Sequence, residues 1–361
     1  MRKKTTIRDV AAAAGVSHQT VSRVINDRPD VAEETRRRVW QVIEELNYQP
    51  SAIARSLIRQ RSLTLGIVTA GLGLFGPAGV LNGVTKQAEE MGYTLLLKEL
   101  PSFVADDVHP LINSLLARQV DGIIWAVPEV GNNRDWLQDQ LPELPVPMFF
   151  ITMQARPDLS IVSVDNCAGG RIATEHLLEQ GYRHIGHVTG PLDWWEARQR
   201  QAGWRDALLG AGIQVADHHW ELGDWSAASG ERAIRRLLEK YSDMDAVFAA
   251  NDQTALGILQ VAYRRGLRVP QDLAVVGFDD TPESAYCCPP LTTVRQDLQA
   301  LGCTAVRELV RTIEAGRQGK AAVGPRNVLL QPELIIRQSS MITKPYIKEK
   351  VGPKARSLGK G

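Results

Sequence analysis

Cysteine is scarce in this sequence, and the few cysteines present suggest no site. Only four occur in 361 residues, and they form neither a Cys-x-x-Cys pair nor a Cys/His metal spacing. A chain of this length buries a sizeable core without cross-links, so we expect reduced thiols rather than a disulfide framework. The sequence therefore predicts no metal site and no bound cofactor.

Long hydrophobic runs are also missing. No apolar stretch is long enough to span a bilayer. The first ten residues, MRKKTTIRDV, lack the hydrophobic core of a secretory signal. We therefore expect a cytoplasmic protein without a membrane partner. The last segment, 341–361, is basic, has few apolar residues and carries no leucine heptad, which is typical of a disordered tail.

Charge is nearly balanced over the whole chain, at +1, but it is unevenly distributed. Residues 1–61 contain 12 Lys/Arg and 7 Asp/Glu, a net charge of +5, and residues 341–361 contain 6 and 1, again +5. The segment between them contains 24 Lys/Arg and 33 Asp/Glu, a net charge of −9. A basic head on an acidic body indicates that the head meets a polyanion and the body does not.

The head, residues 1–48, has the pattern of three short helices. Thr6 and Asp9 fit a capping box at the first helix, Gly15 permits a sharp turn, and Ser17 is a good N-cap for the second helix. A third helix is predicted over about 32–46, with an apolar stripe of Val39, Ile43 and Leu46. Together these features predict a small all-α head domain.

The stretch GVSHQTVSRVIND, residues 15–27, predicts a DNA-reading helix. It buries only Val21, Val24 and Ile25, and its polar face carries no Glu and no Lys. A helix, a glycine turn and a second helix form the helix-turn-helix pattern, whose second helix enters the major groove. Gln pairs with adenine, Arg pairs with guanine, and hydroxyl or amide side chains suit phosphates. The alternative is a solvated three-helix subdomain without a nucleic-acid role.

Residues 49–61 read as a hinge helix and linker. The segment SAIARSLIRQ has an apolar stripe but is too short to be a stable helix alone. Leu57, supplied by two symmetric chains, would wedge between base steps in the minor groove; the alternative is that it packs on the body. The predicted DNA-contact residues are Thr5, Ser17, His18, Gln19, Thr20, Ser22, Arg23, Asn26, Ala54 and Leu57.

The body, residues 62–340, alternates strand-like and helix-like segments. Seven apolar runs indicate buried parallel strands: LTLGIVT, YTLLLKE, VDGIIWAV, PMFFIT, IGHVTG, DAVFAAND and LAVVGFDD. Amphipathic helix-length stretches lie at 79–91, 106–119, 168–181, 196–211, 226–240 and 252–265. This alternation predicts doubly wound α/β sheets, and the length favours two lobes. Ligands bind beyond the carboxyl ends of such strands, where polar residues occur here.

Several blocks of the sequence resemble the lactose-repressor family of bacterial transcription regulators, over residues 5 to about 338. They are TIRDVAAAAGVSHQTVSRVIND with VAEETRRRVWQVIEELNYQPSAIARSL, then AGW, GDWSAASG, ANDQTALG, GLRV, VVGFDDT and PPLTTVRQD. The resemblance implies a homodimer that grips a palindromic double-stranded operator. It also implies a body like a periplasmic sugar-binding protein, with chain crossovers near 160, 292 and 323, and a sugar or glycoside effector.

The resemblance carries effector-binding roles onto particular residues. They are Leu74, Pro77, Pro128, Arg198, Trp225, Asn251, Asp279 and Gln296. We add Trp125 and Trp194 as indoles near this set. Asp, Asn and Arg supply paired donors and acceptors for vicinal hydroxyls, and an unpaired buried partner rejects an analogue that lacks the hydroxyl. The alternatives are a lobe–lobe salt bridge for the charged residues, such as Arg198 with Asp279, and simple packing for each Trp.

The chain also departs from the pattern that its blocks follow. Thr152 stands where that pattern has an aspartate, and Ala126 where it has an asparagine, while Trp194 and Trp195 replace small residues. These changes predict a binding site that is less polar at one end and more aromatic, suited to a pentoside, another hexoside or a longer glycoside. In the DNA-reading helix His18 replaces a tyrosine, which predicts a related but different operator.

The leading hypothesis is a sugar-responsive repressor of a carbohydrate-utilisation operon, not an enzyme, which reaches the nucleoid through DNA. Without a heptad in the tail, a dimer is expected rather than a tetramer. A corepressor-dependent regulator, in which ligand strengthens DNA binding, is the first alternative. A sugar-transport binding protein and a carbohydrate-active enzyme using Asp279 and Glu196 as a carboxylate pair are the others.

Overall fold

The computed structural model describes residues 5–26, 28–48, 61–103, 107–137, 141, 144–319 and 324–341. The predicted contacts Ala54 and Leu57, and the tail from residue 342 onward, lie outside these ranges. The described chain divides into two compact units. Unit 1 contains the residues up to Ser163 together with Asp297–Leu330, and unit 2 contains Val164–Gln296 together with the residues from Gln331 onward.

The chain passes between the units after Ser163, after Gln296 and after Leu330. The third passage comes later than the expected position near 323. The physical reason is that β11, Asn327–Leu330, still lies in the sheet of unit 1, beside β5, Ile161–Val164.

Three helices form the head: α1 (Ile7–Ala14), α2 (His18–Ile25) and α3 (Glu33–Glu45). The capping box at α1 forms as predicted, with both the Thr6 and Asp9 side chains engaged. Gly15 adopts a left-handed conformation, φ 64°, that permits the turn. The Ser17 side chain accepts a hydrogen bond from the Thr20 backbone N–H at 3.0 Å, so α2 begins where its cap predicts.

A single apolar cluster holds these three helices together. Its buried members are Val10, Ala11, Ala14, Val21, Val24, Ile25, Val39, Val42 and Ile43. The predicted stripe was wrong at its end, because Leu46 is 36% exposed and Val42 is buried instead. The α-helix ends at Glu45, so Leu46 caps the helix rather than continuing its buried face.

Unit 1 also contains a six-stranded sheet of order β11-β5-β4-β3-β1-β2. Its strands are β1 (Thr64–Ala70), β2 (Thr94–Leu100), β3 (Gly122–Ala126), β4 (Met148–Ile151), β5 (Ile161–Val164) and β11. Neighbouring strands from β2 to β5 pair in parallel. The helices are α4 (Phe75–Glu90), α5 (His109–Leu116) and α10 (Leu298–Arg317).

Unit 2 repeats this arrangement in a second sheet, of order β12-β10-β9-β8-β6-β7. Its strands are β6 (Ile185–Thr189), β7 (Trp220–Leu222), β8 (Ala246–Ala249), β9 (Ala274–Asp279), β10 (Thr292–Arg295) and β12 (Glu333–Ile335). All pairs are parallel except β10 with β12, which is antiparallel. The helices are α6 (Asn166–Glu179), α7 (Trp195–Gly210), α8 (Ala227–Lys240) and α9 (Asp252–Arg265).

The prediction that every apolar run is a buried strand was wrong for β2. This strand is at the edge of its sheet, and Leu97 is 46% exposed. An edge strand has only one neighbour, so an apolar run alone does not ensure burial. The remaining six runs each contain a strand whose residues are almost all buried.

Three pairs of helices cross at reciprocal glycines. The pairs are Gly83 with Gly302 between α4 and α10, Gly170 with Gly203 between α6 and α7, and Gly230 with Gly257 between α8 and α9. At each of the six positions an added Cβ would lie 2.0–2.3 Å from a backbone oxygen of the opposite helix. Such close crossings need residues without side chains, so these glycines determine which helices pack together.

Candidate functional site

The strand order of unit 2 indicates a ligand site at one edge of its sheet. The order β7-β6-β8-β9-β10 reverses between β6 and β8, and ligands in such sheets bind in the crevice outside the carboxyl ends of the strands. Gly190 follows β6, Asn251 closely follows β8, Asp279 ends β9 and Gln296 follows β10. Three of the predicted effector residues are therefore brought to the same sheet edge.

Asp279 is the buried carboxylate of this edge. Its Oδ1 accepts a hydrogen bond of 2.6 Å from Gln296 Nε2, and it lies 3.8 Å from Nη1 of Arg200. Burial raises the pKa of Asp279 to about 7, although the positive charge of Arg200 opposes that rise. Its φ of 117° is unusual for a residue with a side chain, so surrounding contacts must hold its backbone.

Arg200 is the cation that accompanies this carboxylate. Its Nε donates to Asn166 Oδ1 at 2.8 Å, and its Nη1 donates to the Ala250 carbonyl oxygen. The guanidinium carbon lies 3.7 Å from the ring centroid of Phe278. Because it is hydrogen-bonded, stacked and paired with Asp279, this buried guanidinium is satisfied on several sides.

Arg198, the arginine predicted for the site, occupies a different environment. It is exposed, and its Nη1 donates to the carbonyl oxygens of Leu192 at 3.0 Å and Asp193 at 2.9 Å. The alternative of an Arg198–Asp279 salt bridge was wrong, because Asp279 forms its ion pair with Arg200. Arg198 keeps its guanidinium at the surface of unit 2.

The sequence did contain a signal for Arg200. In α7 the buried side chains Ala197, Trp204 and Leu208 recur at helical spacing, and position 200 lies on the same face. Position 198 lies two residues away and therefore on a different face. A helical-face argument selects Arg200 as the buried residue, whereas the block resemblance selected Arg198.

Trp225 forms the aromatic wall of the site. Its half-buried indole lies against Gly190, where an added Cβ would be 2.3 Å from the ring. The Asn251 Nδ2 donates to the Trp225 carbonyl oxygen at 3.0 Å. Trp194 packs edge-on, with ring centroids 5.6 Å apart, and the Arg200 guanidinium is 5.4 Å from the Trp225 ring. The indole is therefore fixed beside the Arg200–Asp279 pair.

This arrangement has the chemistry of a polyol site. Hydrogen-bond donors and acceptors come from the Asp279 carboxylate, the Gln296 and Asn251 amides and the Arg200 guanidinium. The Trp225 indole supplies an apolar face. A few convergent polar groups beside an aromatic side chain are typical of small-molecule recognition. The less polar, more aromatic character predicted from Trp194 fits its contact with Trp225, although Trp194 and Trp195 are each only 9% exposed.

The predicted effector residues of unit 1 follow the carboxyl ends of its strands. Leu74 is the N-cap residue of α4, Pro77 lies in the first turn, and Pro128 follows β3. Trp125 differs from them. It is 1% exposed, and its ring centroid lies 4.7 Å from that of Trp136 in the apolar core, so it is a core side chain and not a surface for a ligand.

In the head, three of the predicted DNA-contact residues lie on the exposed face of α2. His18 and Gln19 are exposed, and the exposed Arg23 forms only a loose ion pair of 3.5 Å with Asp30. Ion pairs at such exposure are weak, so Arg23 remains available to another partner. The outward face of α2 therefore carries the amide and guanidinium groups that suit base edges.

The other predicted DNA-contact residues of the head form hydrogen bonds within the head. The Ser17 side chain caps α2, and its hydroxyl oxygen also lies 2.9 Å from the hydroxyl oxygen of Thr20. Asn26 Nδ2 donates to the Ser22 carbonyl oxygen at 2.7 Å, and Thr5 Oγ1 donates to that of Leu46 at 3.3 Å. These four bonds shape the helix ends from which phosphate contacts are predicted.

Within the described ranges, no cluster of three or more His, Cys, Asp or Glu residues is placed to hold a metal ion. None of the helices described is long and apolar enough to cross a membrane. The four cysteines are free thiols.

His187 is a buried histidine close to the site. Its ring is fully enclosed, stacked 4.8 Å from Phe248 and 5.3 Å from Trp204, and its Nδ1–H donates to the Phe248 carbonyl oxygen at 2.8 Å. Burial lowers the pKa of His187 from 6.5 to about 3. The folded protein therefore holds this ring neutral, while the unfolded chain binds a proton below pH 6.5.

This difference predicts acid destabilisation with a defined sign. Because the folded pKa lies below the unfolded one, the stability from His187 is present above pH 6.5 and is lost as pH falls toward 3, by at most about 1.4 kcal/mol per pH unit. In urea unfolding at several pH values, His187→Gln should be less stable than wild type at pH 7. The difference should shrink in acid; a gap independent of pH would contradict this account.

Comparison with known proteins decides the family. Residues 6–51 match the family model described as bacterial regulatory proteins, lacI family, and residues 174–340 match a periplasmic binding protein-like domain. The chain is 34% identical over 340 residues to the lactose operon repressor of Escherichia coli K12, covering 94% of this chain and 91% of that protein. This chain belongs to the LacI family.

Solved structures of LacI-family proteins match the head and the body together. The Lac repressor dimer bound to operator and the anti-inducer ONPF matches with a TM-score of 0.82 at 34% identity, over 94% of this chain and 100% of that one. A complex of the regulator CelR with cellobiose matches with a TM-score of 0.68 at 34% identity, over 93% and 99%. The predicted fold, a helix-turn-helix head with a two-lobed α/β body, is confirmed.

Proposed function

We propose that this LacI-family protein is a homodimeric, DNA-binding repressor of carbohydrate-utilisation genes, released from a palindromic operator by a sugar or glycoside. The observation that carries the proposal is the group of Asp279, Arg200, Gln296, Asn251 and Trp225 at one sheet edge, a polyol site, in a chain whose head exposes Gln and Arg. Relatives described with an operator, an anti-inducer and cellobiose support it. It would act in the bacterial cytoplasm.

Release requires that the effector bind the DNA-free form more tightly than the DNA-bound form. An effector shifts the equilibrium only by this difference in affinity, and DNA weakens effector binding by the same factor. An inducing saccharide weakens operator binding, whereas a corepressing saccharide strengthens it. Asp279 takes no enzymatic step in this function, because its carboxylate is engaged by Gln296 and Arg200.

The test combines sugar binding with operator binding. A panel of mono- and disaccharides, including lactose and cellobiose, is screened for a rise in melting temperature, which binding produces by mass action. An operator is selected from random palindromic duplexes, and its affinity is measured by fluorescence anisotropy with and without the positive saccharide. We expect salt-sensitive operator binding that the saccharide weakens. Strengthening by the saccharide would instead establish corepression.

Asp279→Asn tests the site itself. Removing a charge-assisted hydrogen-bond acceptor costs about 1.5–3 kcal/mol, so saccharide affinity should fall about 10- to 150-fold while operator affinity stays as in wild type. Asp272→Asn is the matched control. Asp272 lies just before the opposite end of β9 and accepts bonds from Arg268. If Asp279→Asn released DNA at the wild-type saccharide concentration, the assignment of this site would be wrong.

A further inference from the structure

Asp252, the first residue of α9, is a fully buried carboxylate that the proposed site does not use directly. Its Oδ2 accepts hydrogen bonds from the Thr281 backbone N–H at 2.8 Å and from Ser284 Oγ at 2.6 Å. Its Oδ1 accepts one from Thr293 Oγ1 at 2.6 Å. These three donors are neutral, so a buried charge is compensated here by hydrogen bonds whose geometry is strict.

Two of the donors, Thr281 and Ser284, belong to the turn that follows Asp279, and the third, Thr293, lies in the neighbouring strand β10. Thr281 is two residues beyond Asp279, and the Thr293 hydroxyl that bonds Asp252 also accepts from the Asp280 backbone N–H at 3.3 Å. Asp252 therefore fixes the N–H groups of both residues after Asp279, one directly and one through Thr293.

The turn requires such support because its backbone is strained. Asp279 and Asp280 have φ values of 117° and 54°, two consecutive non-glycine residues with positive φ. Residues in such sparsely populated conformations are energetically costly and persist only where the surroundings fix them. Asp280 is also held by ion pairs of 2.7 Å with Arg295 and 2.6 Å with Arg337.

The Asp252 carboxylate packs closely against the backbone of β9 at Gly277. A Cβ at Gly277 would lie 2.2 Å from Asp252 Oδ1, so a glycine is needed for the approach. The preceding residue, Asn251, bonds the Trp225 carbonyl oxygen. The start of α9 thus supports both the aromatic wall and the Asp279 turn.

We infer that Asp252 is a positioning residue that holds the turn after Asp279 so that the Asp279 carboxylate faces its binding partners. Effector affinity then depends on Asp252 through Asp279 alone. This inference rests on the proposed function for its effect on saccharide binding. Its structural part, the fixing of the turn, is independent of any ligand.

The ligand-independent part is tested by hydrogen–deuterium exchange on the full chain. In Asp252→Asn and in Thr293→Val, amides of the segment 279–284 should exchange about tenfold faster than in wild type, whereas those of α8 should not change. Thr293→Ser keeps the hydroxyl and is the matched control. The Thr293 pair is informative even if Asp252→Asn fails to fold. Unchanged exchange in Thr293→Val and Asp252→Asn would overturn the inference.

A double-mutant cycle tests the action through Asp279, with cellobiose and lactose as probes. Alone, Asp252→Asn should lower the affinity about tenfold, with operator affinity unchanged. In the Asp279→Asn background it should add almost nothing, because the group on which it acts is gone. Additive losses would show general structural damage and refute the positioning role. If the wild-type protein binds neither sugar, that result counts against the proposed effector class. The exchange experiment then still tests whether Asp252 fixes the turn after Asp279.

Discussion

Replacing Arg200 with methionine is expected to lower the free energy of unfolding of unit 2 by about 3–5 kcal/mol, because breaking the buried ion pair forces the Asp279 carboxyl to take up a proton to remain buried. The change removes the partner of Asp279 at 3.8 Å and the donor to Asn166 Oδ1 at 2.8 Å. It also leaves the Ala250 carbonyl without that donor. The loss is measured by urea denaturation followed by far-UV circular dichroism.

Arg198→Met is the matched control for this prediction. Both arginines lie in α7, two residues apart, but the Arg198 side chain is exposed and bonds only carbonyl oxygens at the helix start. Exposed substitutions typically change stability by no more than about 0.5 kcal/mol. Similar losses in the two variants would show that burial and pairing of Arg200 do not stabilise the unit. Adding Asp279→Asn to Arg200→Met should recover part of the loss, since both partners are then neutral.

Replacing Gly203 with alanine should destabilise unit 2 by about 1–3 kcal/mol through overpacking. The new Cβ would lie 2.0 Å from the Cys167 carbonyl oxygen and 2.6 Å from the Arg171 backbone nitrogen. Both are backbone atoms of α6, which cannot rotate away as a side chain would. The two helices must separate, and Arg200, one turn earlier, would shift with them. Chemical denaturation gives the magnitude.

Gly210→Ala, in the same helix, provides the contrast. No heavy atom lies within 4 Å of a Cβ added there, and its φ is not positive. Alanine restricts the unfolded chain and is compatible with the helix, so this variant should gain about 0.4–1 kcal/mol. If both glycine variants changed stability in the same direction, the close crossing of α6 and α7 would not be the cause.

Much of the fold followed from patterns in the chain. The strands β3, β4, β6, β8 and β9 lie within predicted apolar runs, β1 extends one residue beyond its run, and α9 spans the predicted 252–265. The helix α10 was absent from the predicted elements. Its buried Leu301, Ala305 and Leu309 recur every four residues, a periodicity that does predict a helix. The strands β7, β11 and β12 lie at sheet edges and contain no buried residue, so they lack the continuous apolar run that marks a buried strand.

The candidate site was predictable in part. Asn251, Asp279 and Gln296 are polar residues at the ends of strands, and parallel strands bring such ends to one edge. Arg198 was selected where the structure pairs Arg200 with Asp279, and Trp125 was selected although it packs in a core. Both differences concern burial, which depends on neighbours that are remote in the chain.

The amino-acid order alone specifies the features that act over three or four residues. The Thr6 capping box, the Gly15 turn and the Ser17 cap bring together groups that are neighbours in the chain, so their hydrogen bonds are readable from spacing. Folding at long range decides the rest. Gly203 meets Cys167, Arg200 meets Asp279 and Asp252 meets Thr293 only when separate helices and strands pack, because those contacts join residues tens of positions apart.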